Sequence, residues 1–289
     1  MMMKEVANLM LLNGQSLQID HFPNGELRVS PEILEQLVTA KDQMQLLTLR
    51  FETNEDLVVL LLLSQWLREE GFKSQALYMP YMPYSRMDRK VGRHLFSLQY
   101  ITSFINAMHF EKVYVLEAHS QVTLALIDNV ISLSYVNKLV QLAMNDMGFD
   151  EQLDVIVFPD KGAEERYRGA FPSNFRILYG EKIRDFDTGE VLELNVKGDG
   201  KAIRKALSVD DLVSRGTTFL QLAKACEALG IHDISLAVTH TENNLYSGTF
   251  FHHITRLYTT DALQPFLEQA LVHPQITVYA LPDINELYN

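Results

Sequence analysis

The stretch LSVDDLVSRGTT, at residues 207–218, decides the fold of this chain. Its first residues are apolar and predict a buried strand that ends at Asp210 and Asp211. Gly216 then indicates a turn, and the pattern that begins at Thr217 predicts a helix. Because a further strand-like run follows this helix, the stretch predicts a β-loop-α-β unit with a right-handed crossover.

The polar residues of the same stretch also suggest a ligand. Two adjacent carboxylates, Asp210 and Asp211, suit a vicinal diol, because each carboxylate accepts a charge-assisted hydrogen bond from a hydroxyl. The turn at Gly216 and the start of the helix present backbone N–H groups to a phosphate. A diol and a phosphate a few residues apart describe a ribose 5-phosphate. The competing interpretation is a surface turn with an acidic start to the helix.

Outward from this stretch, strand-like and helix-like segments alternate and predict α/β layers. The clearest segments are a helix at 54–71 and strands at 76–79, 112–116, 154–158 and 234–238. Between residues 182 and 201 the pattern weakens, and glycines and acidic residues accumulate. We expect a mobile functional loop or flap there, with residues 190–196 as a small hairpin arm.

Three of the predicted strands end in conspicuous polar residues. These residues are His119, Asp160 and the pair Asp210–Asp211. In open α/β sheets ligands collect at the carboxyl ends of strands, so the pattern predicts that these residues share one site.

Composition excludes several classes of function. The 289 residues suit two α/β domains, and a formal net charge of −12 argues against a broad surface for nucleic acid. Cys226 is the single cysteine, which indicates a reducing compartment. The longest apolar run, residues 57–63, is too short to span a bilayer, and no signal peptide is recognisable. We therefore expect a cytoplasmic protein without a membrane partner.

Six further motifs stand in the same order as in a known family. They are FPNGELRV (22–29), TNEDL (53–57), PYSRMDRK (83–90), EAHS (117–120), PDKG (159–162) and EKIR (181–184). With the stretch at 207–218, they resemble the ribose-phosphate pyrophosphokinase (phosphoribosyl pyrophosphate synthetase) family across nearly the whole chain. The stretch at 207–218 alone also resembles type I phosphoribosyltransferases, but those would not need the motifs at 22–29 and 83–90.

The resemblance implies a fold and a reaction. The fold is α/β, with two similar phosphoribosyltransferase-like domains, each with a mostly parallel sheet flanked by helices. Residues 1–140 would form the domain that contacts ATP, and residues 141–289 the domain with the ribose-phosphate loop and the catalytic flap. The reaction is a Mg²⁺-dependent transfer of pyrophosphate from ATP to the anomeric hydroxyl of ribose 5-phosphate, which releases AMP and serves nucleotide biosynthesis.

The resemblance also implies roles for individual residues. ATP would be bound by Phe22, Asn24, Glu26, Arg86 and Asp88. Catalysis would rest on Lys182, Arg184 and His119, and Mg²⁺ would be held by His119 and Asp160. The ribose-phosphate would be bound by Asp210, Asp211, Ser214, Arg215, Gly216, Thr217 and Thr218. Because the segment at Phe22 would reach a neighbouring subunit, the family resemblance implies a homo-oligomer, at least a dimer, with a hexamer as the larger alternative.

The phosphate loop departs from the family pattern at three positions. Ser214 replaces an aspartate, Arg215 a threonine and Thr217 a glycine. Because threonine takes a positive φ less easily than glycine, we expect the turn to differ. Arg215 adds a cation beside the expected 5-phosphate position, which suits a larger ribose-phosphate acceptor such as ADP-ribose, in NAD metabolism. A non-catalytic regulatory paralogue is the remaining alternative, although the chain keeps Lys182 and the other expected catalytic residues.

Overall fold

A computed structural model gives the architecture of the chain. It describes residues 10–184, 191–197, 203–242, 245, 249–263, 273–284 and 287, and the side chains of 33, 182–184 and 191–194 lie outside the description. The chain folds into two compact units. The first consists of Met1–Ser134, Ala262–Gln264 and Pro282–Asn289, and the second of Tyr135–Asp261 and Pro265–Leu281. The domain limits of 1–140 and 141–289 stay a prediction.

The first unit is a mixed sheet with helices. Its strands are β1 (Met10–Leu12), β2 (Gln15–Ser16), β3 (Asp20–His21), β4 (Leu27–Arg28), β5 (Met44–Leu49), β6 (Ser74–Met79), β7 (Lys112–Leu116) and β8 (Val130–Leu133). Its helices are α1 (Pro31–Leu37), α2 (Glu55–Glu69), α3 (Ser97–Asn106) and α4 (Gln121–Leu126). The sheet order is β2-β1-β5-β6-β7-β8, and strands β5 to β8 are parallel. Strands β3 and β4 form a separate antiparallel hairpin.

The second unit carries the larger sheet. Its strands are β9 (Val155–Phe158), β10 (Ile177–Arg184), β11 (Val191–Lys197), β12 (Lys205–Val213), β13 (Asp233–Thr241), β14 (Arg256–Thr260) and β15 (Ile276–Tyr279). Its helices are α5 (Val136–Met147), α6 (Lys161–Tyr167), α7 (Thr217–Ala228) and α8 (Phe250–His253). The order is β11-β10-β9-β12-β13-β14-β15, in which only the β10–β11 pairing of the described strands is antiparallel. Two mostly parallel sheets flanked by helices confirm the predicted α/β class.

Strand β12 corrects one detail of the prediction. We expected the strand to end at Asp210 and Asp211, but it continues to Val213. It does so because it pairs in parallel with β13, with Asp210 opposite Val238 and Val213 opposite Thr241. The two carboxylates therefore belong to the last residues of a central strand, where backbone pairing restricts their movement.

The region from residue 182 onward differs from the expected loop. Residues 182–184 extend β10, and this strand pairs with β11 from Tyr179 opposite Lys197 to Arg184 opposite Val191. Residues 191–197 thus form a strand close to the predicted bounds of the arm, paired with β10, and residues 182–184 are strand where a loop was expected. Residues 185–190 and 198–202 lie outside the described part of the chain.

Asp56 stabilises the start of helix α2. Asn54 stands at the N-cap, but Asp56 accepts the backbone hydrogen bonds there, from Glu52 (2.8 Å) and Thr53 (2.7 Å). Asn54 instead accepts a hydrogen bond from the Tyr84 hydroxyl, which connects two of the motifs within the first unit. None of the helices formed by the described residues is long and apolar enough to span a bilayer.

Candidate active site

The centre of the candidate site in the second unit is the acidic pair at the end of β12. The Asp210 and Asp211 side chains are 13% and 3% exposed. One guanidinium nitrogen, Nη2 of Arg166, lies 3.0 Å from Oδ1 of Asp210 and 3.0 Å from Oδ1 of Asp211. Two little-exposed carboxylates beside one cation keep acceptor oxygens that suit hydrogen-bond donors such as sugar hydroxyls.

Helix α6 positions that cation. The helix starts after Asp160, whose Oδ1 accepts a hydrogen bond from the backbone N–H of Ala163 at 3.0 Å. Arg166 lies later on the same helix, where its Nε donates to the Gly162 carbonyl at 3.3 Å and its guanidinium lies 5.4 Å from the Tyr167 ring centroid. Helix α6 therefore connects Asp160, the predicted Mg²⁺ ligand at its N-cap, with Arg166, the cation that contacts the acidic pair.

The environment of the acidic pair disfavours two negative charges. Burial raises the pKa of the Asp210 carboxyl well above its usual range, and the neighbouring Asp211 raises it further. The Arg166 guanidinium acts in the opposite direction and favours the ionised form. The protonation of the pair therefore depends on how well Arg166, or a bound ligand, compensates the two charges.

The expected phosphate turn follows directly. Gly216 has φ +73° and stands at the N-cap of α7, and its backbone is buried. Around it, Arg215 and Thr217 are exposed, whereas Ser214 and Thr218 are half-buried. Since the first N–H groups of a helix lack intrahelical acceptors, this end of α7 presents amide donors to an anion.

Thr217 does not disturb this turn. We expected the loss of the family glycine at this position to alter the turn, but Thr217 is the first residue of α7. Thr217 is not one of the described non-glycine residues that have a positive φ. The positive φ falls on Gly216 alone, so the substitution carries no backbone strain.

A glycine is required at position 216 for two reasons. Its φ is positive, and a Cβ there would lie 2.4 Å from Cδ2 of Phe250. We expect Gly216→Ala to lower the free energy of unfolding by about 2–4 kcal/mol, which combines left-handed strain with overpacking. Urea denaturation measures this change.

Gly230→Ala, at the other end of α7, is the matched control. Gly230 also has positive φ (+85°), but an added Cβ there would meet nothing within 4 Å. We expect it to lower the free energy of unfolding by about 1–2 kcal/mol. Equal losses of unfolding free energy in the two variants would show that the closeness of Phe250 adds no cost to a side chain at position 216.

The first unit holds His119 and the predicted ATP residues. His119 lies in the turn between β7 and α4, beyond the strand end as the sequence predicts, and is half-buried. Ser120 caps α4 by accepting from the Val122 N–H at 3.2 Å, and Glu117 adopts a positive φ of 42°. Glu117 also accepts a hydrogen bond from the Ser134 hydroxyl at 2.6 Å. A strained non-glycine residue held by such contacts is typical of functional turns.

The predicted ATP residues occupy two polar segments of the first unit. Arg86 is exposed and Asp88 is half-buried in the turn after β6, where Met87 N–H donates to the Tyr84 carbonyl at 3.1 Å. Asp88 Oδ1 lies 3.7 Å from Arg89 Nε.

The β3–β4 hairpin carries the remaining three ATP residues. Phe22 is 46% exposed, and the Arg28 guanidinium lies 5.7 Å from its ring centroid. Asn24 accepts from the Glu26 N–H at 3.3 Å, which shapes the hairpin turn. An exposed phenylalanine on a polar hairpin can stack on planar groups, but the role of Phe22 in binding ATP stays a prediction.

Lys182 and Arg184 are placed only by their backbone. Both belong to β10, with Lys182 opposite Leu194 and Arg184 opposite Val191 on β11. Their side chains lie outside the described part of the structure. Their catalytic role therefore stays a prediction.

The structure thus brings together Asp210 and Asp211 with Arg166, which the sequence analysis did not single out. Asp160 precedes the helix of Arg166, and Gly216 follows β12. The sequence contained one usable signal for Arg166, because two adjacent aspartates in a central strand require a cation. His119 and the predicted ATP residues belong to the first unit, and their membership of one common site stays a prediction.

Comparisons with known proteins agree on one family. Residues 1–108 match the N-terminal domain of ribose phosphate pyrophosphokinase. The ribose-phosphate pyrophosphokinase of Pyrococcus abyssi is 30% identical over 229 residues, which cover 78% of this chain and 76% of that protein. The protein of the same name from Thermococcus kodakarensis is 29% identical over 233 residues, which cover 78% of this chain and 77% of the relative.

A solved structure supports the fold. The crystal structure of phosphoribosylpyrophosphate synthetase from Mycobacterium smegmatis superimposes with a TM-score of 0.72. The match covers 92% of this chain and 86% of that protein, at 19% sequence identity. At that identity the likeness establishes the arrangement of strands and helices.

Proposed function

The chain belongs to the ribose-phosphate pyrophosphokinase family, and we propose that it transfers an intact pyrophosphoryl group from MgATP to the anomeric hydroxyl of ribose 5-phosphate. The products are phosphoribosyl pyrophosphate and AMP. The observation that carries the proposal is the buried Asp210–Asp211 pair at the end of β12, followed by the glycine turn at the start of α7. Acidic oxygens for a diol and amide donors for a phosphate follow each other within one strand–turn–helix unit.

The acceptor is bound by the end of β12 and by the start of α7. The ribose hydroxyls donate to the carboxylates of Asp210 and Asp211, and the 5-phosphate accepts from the amides at the start of α7. This arrangement fixes the sugar ring, so that the anomeric hydroxyl is oriented before ATP reacts.

The side chains proposed to bind the metal suit a Mg²⁺ ion that arrives with ATP. Among the described residues no group of three or more His, Cys, Asp or Glu is arranged to hold a metal by itself. Mg²⁺ usually binds through one or two carboxylates plus water and substrate phosphates, and Asp160 offers a carboxylate at the end of β9. We propose Asp160 and His119 as the protein contacts, direct or through water. When bound, Mg²⁺ neutralises part of the triphosphate charge.

The transfer itself is a displacement at the β-phosphorus of ATP. The anomeric oxygen forms the new bond to that phosphorus, and the bond to the oxygen between the α- and β-phosphorus breaks. AMP leaves with that oxygen, and the hydroxyl proton passes to solvent. Lys182 and Arg184 stabilise the charge that spreads over the phosphoryl oxygens, which is the main task of a protein in phosphoryl transfer.

AMP release tests the proposal directly. The full chain is incubated with MgATP and ribose 5-phosphate, and AMP and the sugar product are measured by mass spectrometry. We expect AMP and phosphoribosyl pyrophosphate in equal amounts, no AMP without the acceptor, and loss of both products when EDTA removes the metal.

ADP-ribose is the comparison acceptor, because exposed Arg215 adds a cation beside the phosphate turn. Turnover of ADP-ribose with none of ribose 5-phosphate would contradict the proposed acceptor. Absence of AMP with both acceptors would contradict the enzymatic activity, and the regulatory alternative would then stand.

A further inference from the structure

We propose that Arg166 is a positioning residue of the acceptor site, which holds the two carboxylates of β12 side by side for a vicinal diol. This inference rests on the proposed function, because it concerns how the same site recognises ribose. Arg166 would act through Asp210 and Asp211 rather than by contact with the reacting atoms.

The first argument is geometric. Neighbouring residues of an extended strand ordinarily point to opposite faces of the sheet, so two adjacent aspartates do not meet without a cause. Here both carboxylates lie 3.0 Å from the same nitrogen, Nη2 of Arg166. The guanidinium therefore joins the two Oδ1 atoms, and the backbone N–H of Asp211 also donates to Asp210 Oδ1, at 2.9 Å.

The second argument concerns charge. The titratable and charged groups around the pair include Arg166 and Tyr167 from α6 and His240 from β13, whose Nδ1 lies 3.2 Å from the Asp211 carbonyl oxygen. Of these, the Arg166 guanidinium is the cation in direct contact with both carboxylates. The guanidinium counteracts burial and the neighbouring Asp211, which both raise the pKa of Asp210 and so favour a proton shared by the pair. Its removal therefore favours protonation of the pair further. A carboxyl oxygen that carries the shared proton no longer accepts a hydrogen bond from a sugar hydroxyl.

A second arginine in the same unit shows what a purely structural pair looks like. Arg204 donates to Asp154 at 3.0 and 2.6 Å and to the Gly148 carbonyl at 2.9 Å, immediately before β12 begins. It lies at the opposite end of β12 from the acidic pair and contacts one aspartate. Arg166 differs in both respects, because it joins two aspartates at the carboxyl end of the strand, where ligands bind in open sheets.

The test compares Arg166→Met, Arg166→Lys and Arg204→Met with the unchanged chain. Steady-state kinetics at pH 6 to 9 give kcat and the separate KM values for ribose 5-phosphate and MgATP. We expect Arg166→Met to raise KM for ribose 5-phosphate about 30-fold at pH 7, with KM for MgATP within about twofold, since a charged hydrogen-bonding network is lost. Arg166→Lys should recover most of the loss, because it keeps the charge.

The pH profile separates positioning from a general loss of structure. A shared proton weakens diol binding at low pH, so the KM defect of Arg166→Met should shrink as the pH rises toward 9. Arg204→Met should lower the thermal stability and leave KM for ribose 5-phosphate unchanged at every pH. If Arg166→Met does not fold, Arg166→Gln, which is neutral and polar, takes its place in the same comparison with Arg166→Lys.

Two results would overturn the inference. One is a KM for ribose 5-phosphate that changes no more than that for MgATP. The other is a KM defect of the neutral Arg166 variant that does not depend on pH. If the unchanged chain forms no AMP, the proposed function fails independently. Calorimetric titration of ribose 5-phosphate into the unchanged and Arg166→Met chains then tests the role of Arg166, and equal affinities would refute it.

Discussion

Replacement of either aspartate of the pair, as Asp210→Asn or Asp211→Asn, is expected to lower kcat/KM for ribose 5-phosphate about 10- to 100-fold. Each hydrogen bond to a charged group contributes about 1.5–3 kcal/mol, and the amide that replaces the carboxylate accepts more weakly. The loss should appear mainly in KM for the acceptor, because the diol is bound before the transfer. Initial rates with varied ribose 5-phosphate at saturating MgATP measure it.

Asp154→Asn is the matched control for these variants. Asp154 is also a buried aspartate paired with an arginine in the second unit, with Arg204 Nη2 at 2.6 Å, but at the other end of β12. We expect it to lower stability and to leave KM for ribose 5-phosphate within about twofold, since it touches no proposed ligand contact. An acceptor KM that rises equally in all three variants would show that the acidic pair supports the fold rather than the sugar.

The largest loss of activity is expected from the cations of β10. Lys182→Ala and Arg184→Ala should each lower kcat about 100- to 1000-fold or more, because a donor that stabilises transition-state charge contributes about 3–5 kcal/mol. KM for ribose 5-phosphate should change little, since these residues act on the migrating phosphates. Single-turnover rates with saturating substrates isolate this effect from product release.

Lys197→Ala controls for a general effect on the hairpin. Lys197 lies on β11, opposite Tyr179, and its Nζ is 2.6 Å from the exposed Glu181 carboxylate. An exposed ion pair contributes little, so kcat should stay within about twofold. A kcat for Lys182→Ala close to that of Lys197→Ala would remove Lys182 from the catalytic proposal.

Short-range patterns in the sequence predicted most of the fold. Lys112–Leu116 is a strand with the expected bounds, and helix α7 follows Gly216 as expected, because apolar runs bounded by turn residues determine both. The extension of β12 to Val213 was not predicted. The extension depends on pairing with β13, and the residues of β12 alone do not show which strand pairs with it or how far.

The candidate site was only partly predictable for a related reason. Asp210, Asp211 and Gly216 are adjacent in sequence, so their chemistry was evident from the stretch alone. Arg166 lies 44 residues before Asp210, and its contact with the pair depends on how α6 packs beside β12. Burial of two carboxylates requires a cation, but the sequence offers 25 lysines and arginines and does not show which one.

The fate of the β-phosphorus of ATP tests the central claim most directly. The full chain is incubated with ribose 5-phosphate, Mg²⁺ and ATP whose β-phosphorus is labelled with ¹⁸O, and ³¹P NMR follows the products by the isotope shift. The proposed mechanism predicts that the labelled phosphorus and its γ neighbour move together to the anomeric oxygen, with AMP as the other product. Formation of ADP with ribose 1,5-bisphosphate, or of AMP and free pyrophosphate without a sugar product, would contradict it.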